Sequence, residues 1–239
     1  MRQGHRYFYI SVIAVVLVAL ISVFMSEREK NYSDKQIFTN IYKKNLWDGG
    51  SGPGSKVENA RPFLDYLQDF INTQEISTIV DIGCGDWELM KTIHIPDRIK
   101  YLGLDIVDHI IAENQKKYAK NNVRFTAIND VTDLSSYKGD LLIIKDVLQH
   151  WEKDKIIYAM NNIIPNFKYA IIVNCIKLSE LYCNESLNAR VGDTRIIDLQ
   201  KEPFSASNLK IVMDYELVTF NERKRIYLYV RDKSDPLFK

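Results

Sequence analysis

The 239-residue chain has few cysteines and histidines, and neither sign of charge is in excess. Its three cysteines, Cys84, Cys175 and Cys183, include no CxxC pair, so the spacing typical of a zinc site or a disulfide framework is absent. The net charge of +1 gives no global electrostatic reason to bind nucleic acid. What is present, 46% hydrophobic and 26% charged residues, is the composition of a globular protein with a proper core.

The N-terminus carries the one long apolar segment of the sequence. Residues 7–25, YFYISVIAVVLVALISVFM, are uncharged and long enough to cross a bilayer as a helix. A cleaved signal peptide is the competing interpretation, but the run is longer than a usual h-region and no good A-x-A site follows. We therefore predict a single-pass anchor over residues 1–26. Its orientation stays open, because the Lys/Arg balance weakly favours a cytoplasmic domain whereas N-x-S sequons at Asn31 and Asn184 suggest a lumenal one.

The remainder of the chain predicts an α/β domain. Residues 27–55 are interpreted as a stalk followed by a Gly/Ser-rich segment, and residues 56–239 as the globular domain. The predicted strands cover residues 76–83, 100–106, 123–130, 140–147, 169–175, 209–218 and 224–232, and the predicted helices run from Ser55, as N-cap, to about Gln74, from about Trp87, and over 108–119 and 152–164. This alternation indicates a mostly parallel sheet with helices on both faces. The last two strands are joined by so short a turn that they predict an antiparallel hairpin.

A Gly-rich turn after the first predicted strand is typical of a ligand site. In VDIGCGDWE (80–88), Asp81 lies late in the strand, and Gly83 and Gly85 allow close backbone approach to a ligand. Asp105 ends the next strand, where its carboxylate can accept two hydrogen bonds from a ribose diol. The pattern therefore suits a nucleoside lying across the carboxyl edge of the sheet, although a plain structural turn is the simpler alternative.

A dinucleotide site is the main competing ligand. The third glycine of G-x-G-x-x-G would fall on position 88, which is Glu88. Asp86 and Glu88 also place carboxylates where a pyrophosphate requires backbone amides and a positive helix end. Acidic residues at this turn favour a cationic ligand instead.

Four stretches in order, VDIGCGDWE, YLGLDIV, FTAIND and DLLIIKDVLQHW, followed by the terminal hairpin, resemble the class I S-adenosylmethionine-dependent methyltransferases. The resemblance covers about residues 40–232 and implies a Rossmann-like seven-stranded fold with S-adenosyl-L-methionine as cofactor. The sequence departs from the pattern where many members carry a third glycine, and the residue there is kept only as a possible contact of the methionine end. The implied cofactor residues are Asp81, Gly83 and Gly85 at the amino-acid moiety, Trp87 as that possible contact, Asp105 at the ribose, Ile106, Asp130 and Val131 at the adenine, and Lys145 beside the sulfonium. For Asp130, capping of a turn is the alternative.

The segment after the fourth predicted strand, KDVLQHW (145–151), contains the candidate catalytic residues. Asp146 and His150 are four residues apart, which places them on one face of a helical turn. A carboxylate beside the ring would keep His150 basic, so that it takes a hydroxyl proton during methyl transfer. Local packing is the alternative role of this histidine. A metal held by Asp146 with Asp193 or Asp198 lacks a tight ligand cluster, so no metal is predicted.

Two further segments predict acceptor contacts. The polar loop 184–204 fits N-x-x-x-G-x-x-R-x-x-(D/N)-L-x-x-x-P-F, and residues 47–55 fit a W-x-G-G-S-G-x-G-S-like run. Both patterns resemble a subgroup of these methyltransferases found among glycan-building enzymes. Trp47, Asn188 and Arg195 are therefore the predicted substrate-binding residues, with a solvated surface loop as the alternative for residues 184–204. The segment 46–55 is predicted to be a mobile flap over the cofactor or acceptor rather than a tether.

These patterns together predict a membrane-anchored methyltransferase that methylates a hydroxyl of a sugar or another small polar acceptor. Methylation of protein or nucleic acid is a second possibility, weakened by the near-neutral charge and the lack of a recognisable nucleic-acid module. A non-catalytic, membrane-tethered scaffold that retains a nucleoside pocket is a third. Nothing in the sequence predicts an obligate protein partner.

Overall fold

A computed structural model describes residues 32–176, 184, 191–219 and 222–238. The predicted anchor, residues 7–25, and the predicted contact Asn188 lie outside the described residues. None of the helices within the described ranges is long and apolar enough to cross a bilayer.

One seven-stranded sheet forms the centre of the molecule, as the sequence predicted. The strands are β1 (Thr78–Ile82), β2 (Lys100–Asp105), β3 (Val123–Ala127), β4 (Gly139–Lys145), β5 (Phe167–Ile176), β6 (Leu209–Glu216) and β7 (Arg223–Val230). Their order is β3-β2-β1-β4-β5-β7-β6. Strands β1 to β5 are parallel, whereas β7 runs antiparallel to both β5 and β6, which confirms the predicted C-terminal hairpin.

Helices cover both faces of this sheet, because the central strands are apolar on both sides. The α-helices are α1 (Asp34–Lys43), α2 (Val57–Thr73), α3 (Asp108–Tyr118) and α4 (Lys153–Asn162). On one face, Phe63 and Leu67 of α2 join the core cluster of Ile79 and Ile143. On the other, Ile156 and Ala159 of α4 join a second cluster with Leu142 and Ile172. The odd and even residues of each strand thereby enter separate cores.

Two local predictions differ from the structure. Helix α2 begins at Val57, so Ser55 is not its N-cap, and the Ser55 hydroxyl instead donates to the Ser51 carbonyl at 3.3 Å. The helix predicted from Trp87 is only a short 3₁₀ turn, Met90–Thr92. Trp87 adopts a φ of +60°, which is incompatible with a right-handed helix starting at that residue.

Helix α1 lies on the globular body, although the sequence analysis assigned it to the stalk. Phe38 and Ile41 of α1 are buried in a small cluster with Val107 and Ile110. Lys35 also forms an ion pair with Asp108 at the start of α3, at 2.7 Å. The helix is therefore fixed beside the carboxyl end of β2.

The strand order reverses between β1 and β4, since the chain continues from β1 to β2 on one side and from β4 to β5 on the other. Ligands of open α/β sheets bind in the crevice at such a point, outside the carboxyl ends of the strands. A cavity of about 390 Å³ lies there. Its lining comes from the turns after β1, β2 and β4, from α1, and from residues 46–55, which we name the flap.

Candidate functional site

Asp105 supplies a fixed carboxylate to the cavity wall. Its Oδ2 accepts from the Gly85 amide at 3.1 Å and its Oδ1 from the Val107 amide at 3.0 Å. The side chain is buried but lines the cavity. Burial raises the pKa of Asp105, and the hydrogen bonds from Val107 and Gly85 oppose that rise. The two backbone donors leave acceptor positions on both oxygens for a ligand.

Apolar side chains lie beside Asp105 and continue the wall. Ile106, Ile128 and Val131 all line the cavity. Two of them, Ile106 and Val131, are the residues that the resemblance assigns to the adenine. A flat, uncharged ring system fits such a wall better than a charged group does.

The flap is anchored on the turn after β1. The Ser51 hydroxyl donates to Asp86 Oδ1 at 2.9 Å and lies 2.9 Å from the Tyr42 hydroxyl, while the Ser51 amide donates to Asp86 Oδ2 at 3.2 Å. Gly85 permits this approach, because it has a φ of +54° and a Cβ there would lie 2.2 Å from the Ser51 hydroxyl oxygen. Gly83, which has a φ of +70°, lines the cavity next to this turn. The flap therefore packs on the β1 turn instead of extending as a tether.

At the β4 side the flap contacts a buried charge cluster of Lys145, Asp146 and Lys224. The Lys145 ammonium donates to the Gly54 carbonyl at 2.8 Å and to Asp146 Oδ2 at 2.5 Å. Lys224, on β7, donates to Asp146 Oδ1 at 2.8 Å. A Cβ on Gly54 would lie 2.7 Å from Asp146 Oδ2, so only glycine allows the flap to approach the cluster this closely. The flap thus contacts both sides of the cavity.

The two lysines control the ionisation of Asp146. Burial alone would raise its pKa, but Lys145 and Lys224 outweigh burial and hold the pKa well below its usual range. Asp146 is therefore a permanent carboxylate at the cavity wall and a poor proton acceptor. Burial lowers the pKa of Lys145, whereas for Lys224 the lowering by burial is outweighed by Asp146, Cys175 and Glu222 together, which raise the pKa.

His150 ends a 3₁₀ turn, Leu148–His150, and its ring lines the cavity. Its Nδ1 lies 3.2 Å from the Asp193 carbonyl oxygen, and its ring stacks on Trp47 of the flap at 5.0 Å between centroids. A carbonyl only accepts, so Nδ1 carries the proton and Nε2 of the neutral ring is the basic nitrogen. Burial lowers the pKa of His150, with Asp146 opposing.

The predicted hydrogen-bonded pair of Asp146 and His150 is not formed. Both side chains line one cavity, but Asp146 bonds to the two lysines and His150 to the Asp193 carbonyl. Asp146 takes a φ of +57°, so the expected helical turn does not begin there. The ring is oriented by a main-chain carbonyl and by Trp47 rather than by a carboxylate.

Two other predicted cofactor residues lie in the core instead of at the cavity. Asp81 is buried and accepts a hydrogen bond from the Tyr101 hydroxyl, and burial raises its pKa to about 7. Trp87 packs against Tyr101 and Phe125, at 5.5 and 5.3 Å between ring centroids. Neither residue is part of the cavity lining. The left-handed backbone of Trp87 accompanies this inward packing, and no sequence pattern indicated it.

Asp130 caps a turn, which is the alternative that the sequence analysis kept open. Strand β3 ends at Ala127, so Asp130 is not at the strand end. Its Oδ1 accepts from the Thr132 amide at 2.9 Å, and this bond lowers the pKa of Asp130. The side chain is exposed and is not among the cavity-lining residues.

Of the described substrate-binding candidates, Trp47 lines the cavity and Arg195 does not. Arg195 is buried, and its backbone amide donates to the Gln149 carbonyl at 3.0 Å. The preceding residue, Thr194, does reach the cavity. Within the described ranges, no group of three or more His, Cys, Asp or Glu residues is arranged to hold a metal ion.

Sequence reasoning missed several residues of the site. The apolar spacing of Ile37, Phe38 and Ile41 was a usable signal that α1 has a buried face. No comparable signal marked Lys224, because a lysine in a strand ordinarily points to solvent. Outside the flap, the cavity-lining residues that were not predicted include Asp34, Phe38, Tyr42, Ile128, Gln149, Thr194, Glu222 and Lys224.

Comparison with known proteins bears on the fold. No protein-family model and no curated protein matches the sequence. Solved structures do match. The [4+2]-cyclase SpnF matches with a TM-score of 0.59 at 12% identity, over 84% of this chain and 97% of that one. The N-terminal domain of EvdMO1, solved in the presence of S-adenosylhomocysteine (SAH) and D-fucose, matches with a TM-score of 0.53 at 10% identity, over 72% of this chain and 83% of that one. The mitomycin 7-O-methyltransferase MmcR matches with a TM-score of 0.51 at 16% identity, over 72% of this chain and 54% of that one.

The chain therefore has the class I methyltransferase fold, which confirms the resemblance at the level of architecture. Identities of 10–16% establish the fold alone. Because a cyclase and an O-methyltransferase both have this fold, the reaction must be argued from the site.

Proposed function

We propose that this protein binds S-adenosyl-L-methionine in the cavity and transfers the methyl group to an oxygen of a sugar or another small polar acceptor. The observation that carries the proposal is the buried Asp105 carboxylate beside the apolar wall of Ile106, Ile128 and Val131. Such a carboxylate suits a ribose diol, and such a wall suits an adenine ring. The presence of SAH in one structure of the same fold supports this choice of ligand.

The donor set of the cavity fits this cofactor. Asp105 keeps lone pairs free for two hydroxyl groups, and the cavity of about 390 Å³ falls in the range of small-molecule sites. When bound, S-adenosyl-L-methionine supplies an electrophilic methyl group on a sulfonium. Gly83 would border the amino-acid moiety, and Lys145 and Asp146 would border the sulfonium.

His150 is the proposed proton acceptor for the acceptor hydroxyl. With Nδ1–H bonded to the Asp193 carbonyl, Nε2 presents its lone pair, and the lowered pKa keeps the ring neutral near pH 7. With Nδ1 protonated, the Gln149 side-chain amide donates to Nε2 at 3.4 Å, so the acceptor hydroxyl replaces this long hydrogen bond when it binds. An alcohol is a weak nucleophile, so removal of its proton as the methyl group transfers lowers the barrier.

The sequence adds two proposals about the rest of the chain. Residues 1–26 anchor the protein in a membrane as a single span, and the flap opens to admit ligands. The first rests on the uncharged run 7–25. The second rests on the position of the flap, whose Trp47 and Gly54 line the cavity.

Binding of S-adenosylhomocysteine (SAH) tests the cofactor site. We expect the full chain to bind SAH in calorimetry, and Asp105→Asn to weaken binding about 100-fold, since two hydrogen bonds to a charged group contribute about 1.5 kcal/mol each. Asp65→Asn is the matched control, because Asp65 is an exposed carboxylate on α2. Equal affinities of the two variants, with unchanged thermal unfolding, would remove Asp105 from the site.

A labelled-methyl assay tests the reaction. We expect radiolabel from S-adenosyl-L-methionine to appear in small hydroxylated acceptors, and not in peptides or RNA, when all are supplied separately. Label only in peptide or RNA would overturn the acceptor class. Tight SAH binding with no label in any acceptor would instead support the non-catalytic scaffold.

A further inference from the structure

The buried ionisable groups differ between the two ends of the cavity. At the end formed by β2 the buried ionisable group is the carboxylate of Asp105, whereas the end formed by β4 and β7 contains two ammonium groups, Lys145 and Lys224, and one carboxylate, Asp146. Only 8% and 3% of these lysine side chains are exposed. In the proposed binding mode Asp105 holds the ribose and Lys145 and Asp146 border the sulfonium, which leaves the function of the second ammonium group, Lys224, to be explained.

Two buried ammonium groups share one buried carboxylate. Lys145 uses Asp146 and the Gly54 carbonyl, but for Lys224 the hydrogen-bond acceptor found among the described residues is Asp146 alone. An ammonium group has three N–H donors, so Lys224 has donors to spare. Asp146 is the one carboxylate that both ammonium groups contact, so the fully buried part of the cluster holds one more ammonium group than carboxylate, and buried charges require partners.

Glu222 does not satisfy the second lysine. Its carboxylate is 3.9 Å from the Lys224 nitrogen, beyond hydrogen-bond distance, and 45% of its side chain is exposed. The same carboxylate accepts from the Cys175 thiol at 3.1 Å. Solvent therefore screens Glu222, and its interaction with Lys224 is weak.

We infer that Lys224 holds a carboxylate of the acceptor, so that the substrate is an acidic sugar or a similar polar acid. This inference rests on the proposed function. The cofactor also has a carboxylate, in its methionine moiety, but of the two lysines it is Lys145 whose charge acts on Asp81 of β1, whereas Lys224 comes from β7 and its charge acts on the proposed proton acceptor His150. We therefore assign the carboxylate to the acceptor, and Lys224 becomes a specificity-determining residue.

The test compares an acid with its neutral counterpart on the full chain saturated with SAH. D-Glucuronate and D-glucose differ at the carboxylate, and we expect glucuronate to bind at least tenfold more tightly in calorimetry. Lys224→Met should remove this preference, and Lys116→Met, which changes an exposed lysine on α3, should retain it. Equal binding of the two sugars, or no measurable glucuronate binding, would overturn the inference, as would an unchanged preference in Lys224→Met.

Glu222→Gln is a second variant that distinguishes loss of glucuronate binding from loss of the fold. It removes a negative charge that lines the cavity 3.9 Å from Lys224, so we expect glucuronate to bind at least as tightly as in the wild type, whereas Lys224→Met weakens binding. A purely structural role of the cluster would weaken glucuronate binding in both variants, and weaker binding in Glu222→Gln would contradict the inference.

Two nucleosides identify the source of the carboxylate. If Lys224→Met weakens SAH but not 5′-methylthioadenosine, which lacks the amino-acid moiety, the lysine serves the cofactor and the acceptor assignment is wrong. Unchanged SAH affinity in this variant supports the assignment. Failure of the wild-type chain to bind SAH at all would refute the proposed function itself, whereas SAH binding without a preference for glucuronate refutes only the acidic acceptor.

Discussion

Single residues of the site are fixed by partners other than those that their sequence spacing suggests. His150 is held by a carbonyl forty-three positions along the chain, and Asp146 by a lysine seventy-eight positions along it. The result is a division of roles that favours proton transfer to the histidine. The carboxylate stays charged at all ordinary pH values, while the neutral ring keeps a basic nitrogen, Nε2, whose one contact among the described residues is the long hydrogen bond from Gln149.

The pH dependence of turnover should report His150. Its folded pKa is lowered from 6.5, so the neutral form dominates at pH 7, and we expect turnover to fall only as pH drops through a value below 6.5. Burial and Lys224 lower this pKa, and Asp146 and the Asp193 carbonyl oppose them. His150→Asn can still donate to that carbonyl but has no basic nitrogen, so kcat should fall about 100-fold or more while SAH affinity stays constant.

This prediction is checked by kcat against pH with an acceptor found in the labelled-methyl assay, and by NMR titration of the ring in the SAH complex. A ring pKa at or above 6.5 would contradict the environment described for His150. Full turnover in His150→Asn would assign the ring to packing, the alternative that the sequence left open.

Sequence patterns predicted those residues whose positions follow from strand ends. Asp105 ends β2 and Ile106 follows it, and both line the cavity, because the carboxyl ends of parallel strands meet at one edge. Asp130 lies three residues beyond the end of β3 at Ala127 and caps a turn, so its position does not follow from a strand end. The contact of Lys224 with Asp146 depends on the pairing of β7 with β5, and neither the pairing register nor the burial of a lysine is visible in sequence.

Among the elements, the flap and α1 close the cavity together. The flap packs on α1 through Tyr42 and Trp47, whose rings are 5.6 Å apart, and on the sheet through Asp86 and Lys145. Polar contacts at both sides of the cavity are easily exchanged for water, which suits a segment that must open. The same contacts make closure depend on a small number of hydrogen bonds.

Loss of the Ser51 hydroxyl should speed ligand release. That hydroxyl contacts Asp86 and Tyr42, so Ser51→Ala removes the main attachment of the flap to the β1 turn, and we expect SAH to dissociate about three- to tenfold faster. Ser55→Ala is the control, because the Ser55 hydroxyl makes only a 3.3 Å bond to the Ser51 carbonyl. Stopped-flow displacement measures both rates, and equal rates would show that this attachment does not limit release.

The prediction of elements succeeded where the apolar period is strong and failed where the backbone is unusual. The strands and α2 to α4 follow from their patterns, but the segment after β1 contains Trp87 with φ at +60°, and a helix does not form there. Helix α1 was assigned to a stalk since its charged face dominates its composition, although Phe38 and Ile41 are buried. A tertiary contact with Val107 and Ile110 gives that helix its place.

At the scale of the whole molecule, the cavity is built from the entire described domain. Its lining begins at Asp34 in α1 and ends at Lys224 in β7, and all of the positions between lie on one sheet and its connections. Every lining residue within the described ranges lies at or after Asp34. Binding and anchoring are therefore expected to be separable functions.

Removal of residues 1–26 tests this separation. The shortened chain should move from the membrane pellet to the supernatant after cell fractionation, because the uncharged run 7–25 is lost. Its SAH affinity should stay within about twofold of the full chain, since every described cavity-lining residue is retained. Retention in the pellet, or loss of SAH binding, would contradict the prediction.

Two further measurements distinguish a retained anchor from a cleaved signal peptide. Mass spectrometry of the mature full chain should find residues 1–26 in place, and residues 1–31 fused to a soluble reporter should carry that reporter into the pellet through an alkaline carbonate wash. A mature N-terminus beyond residue 26 would instead show cleavage. In that case the domain would be released from the membrane, and the flap and cavity would act on acceptors in solution rather than on acceptors presented at a bilayer surface.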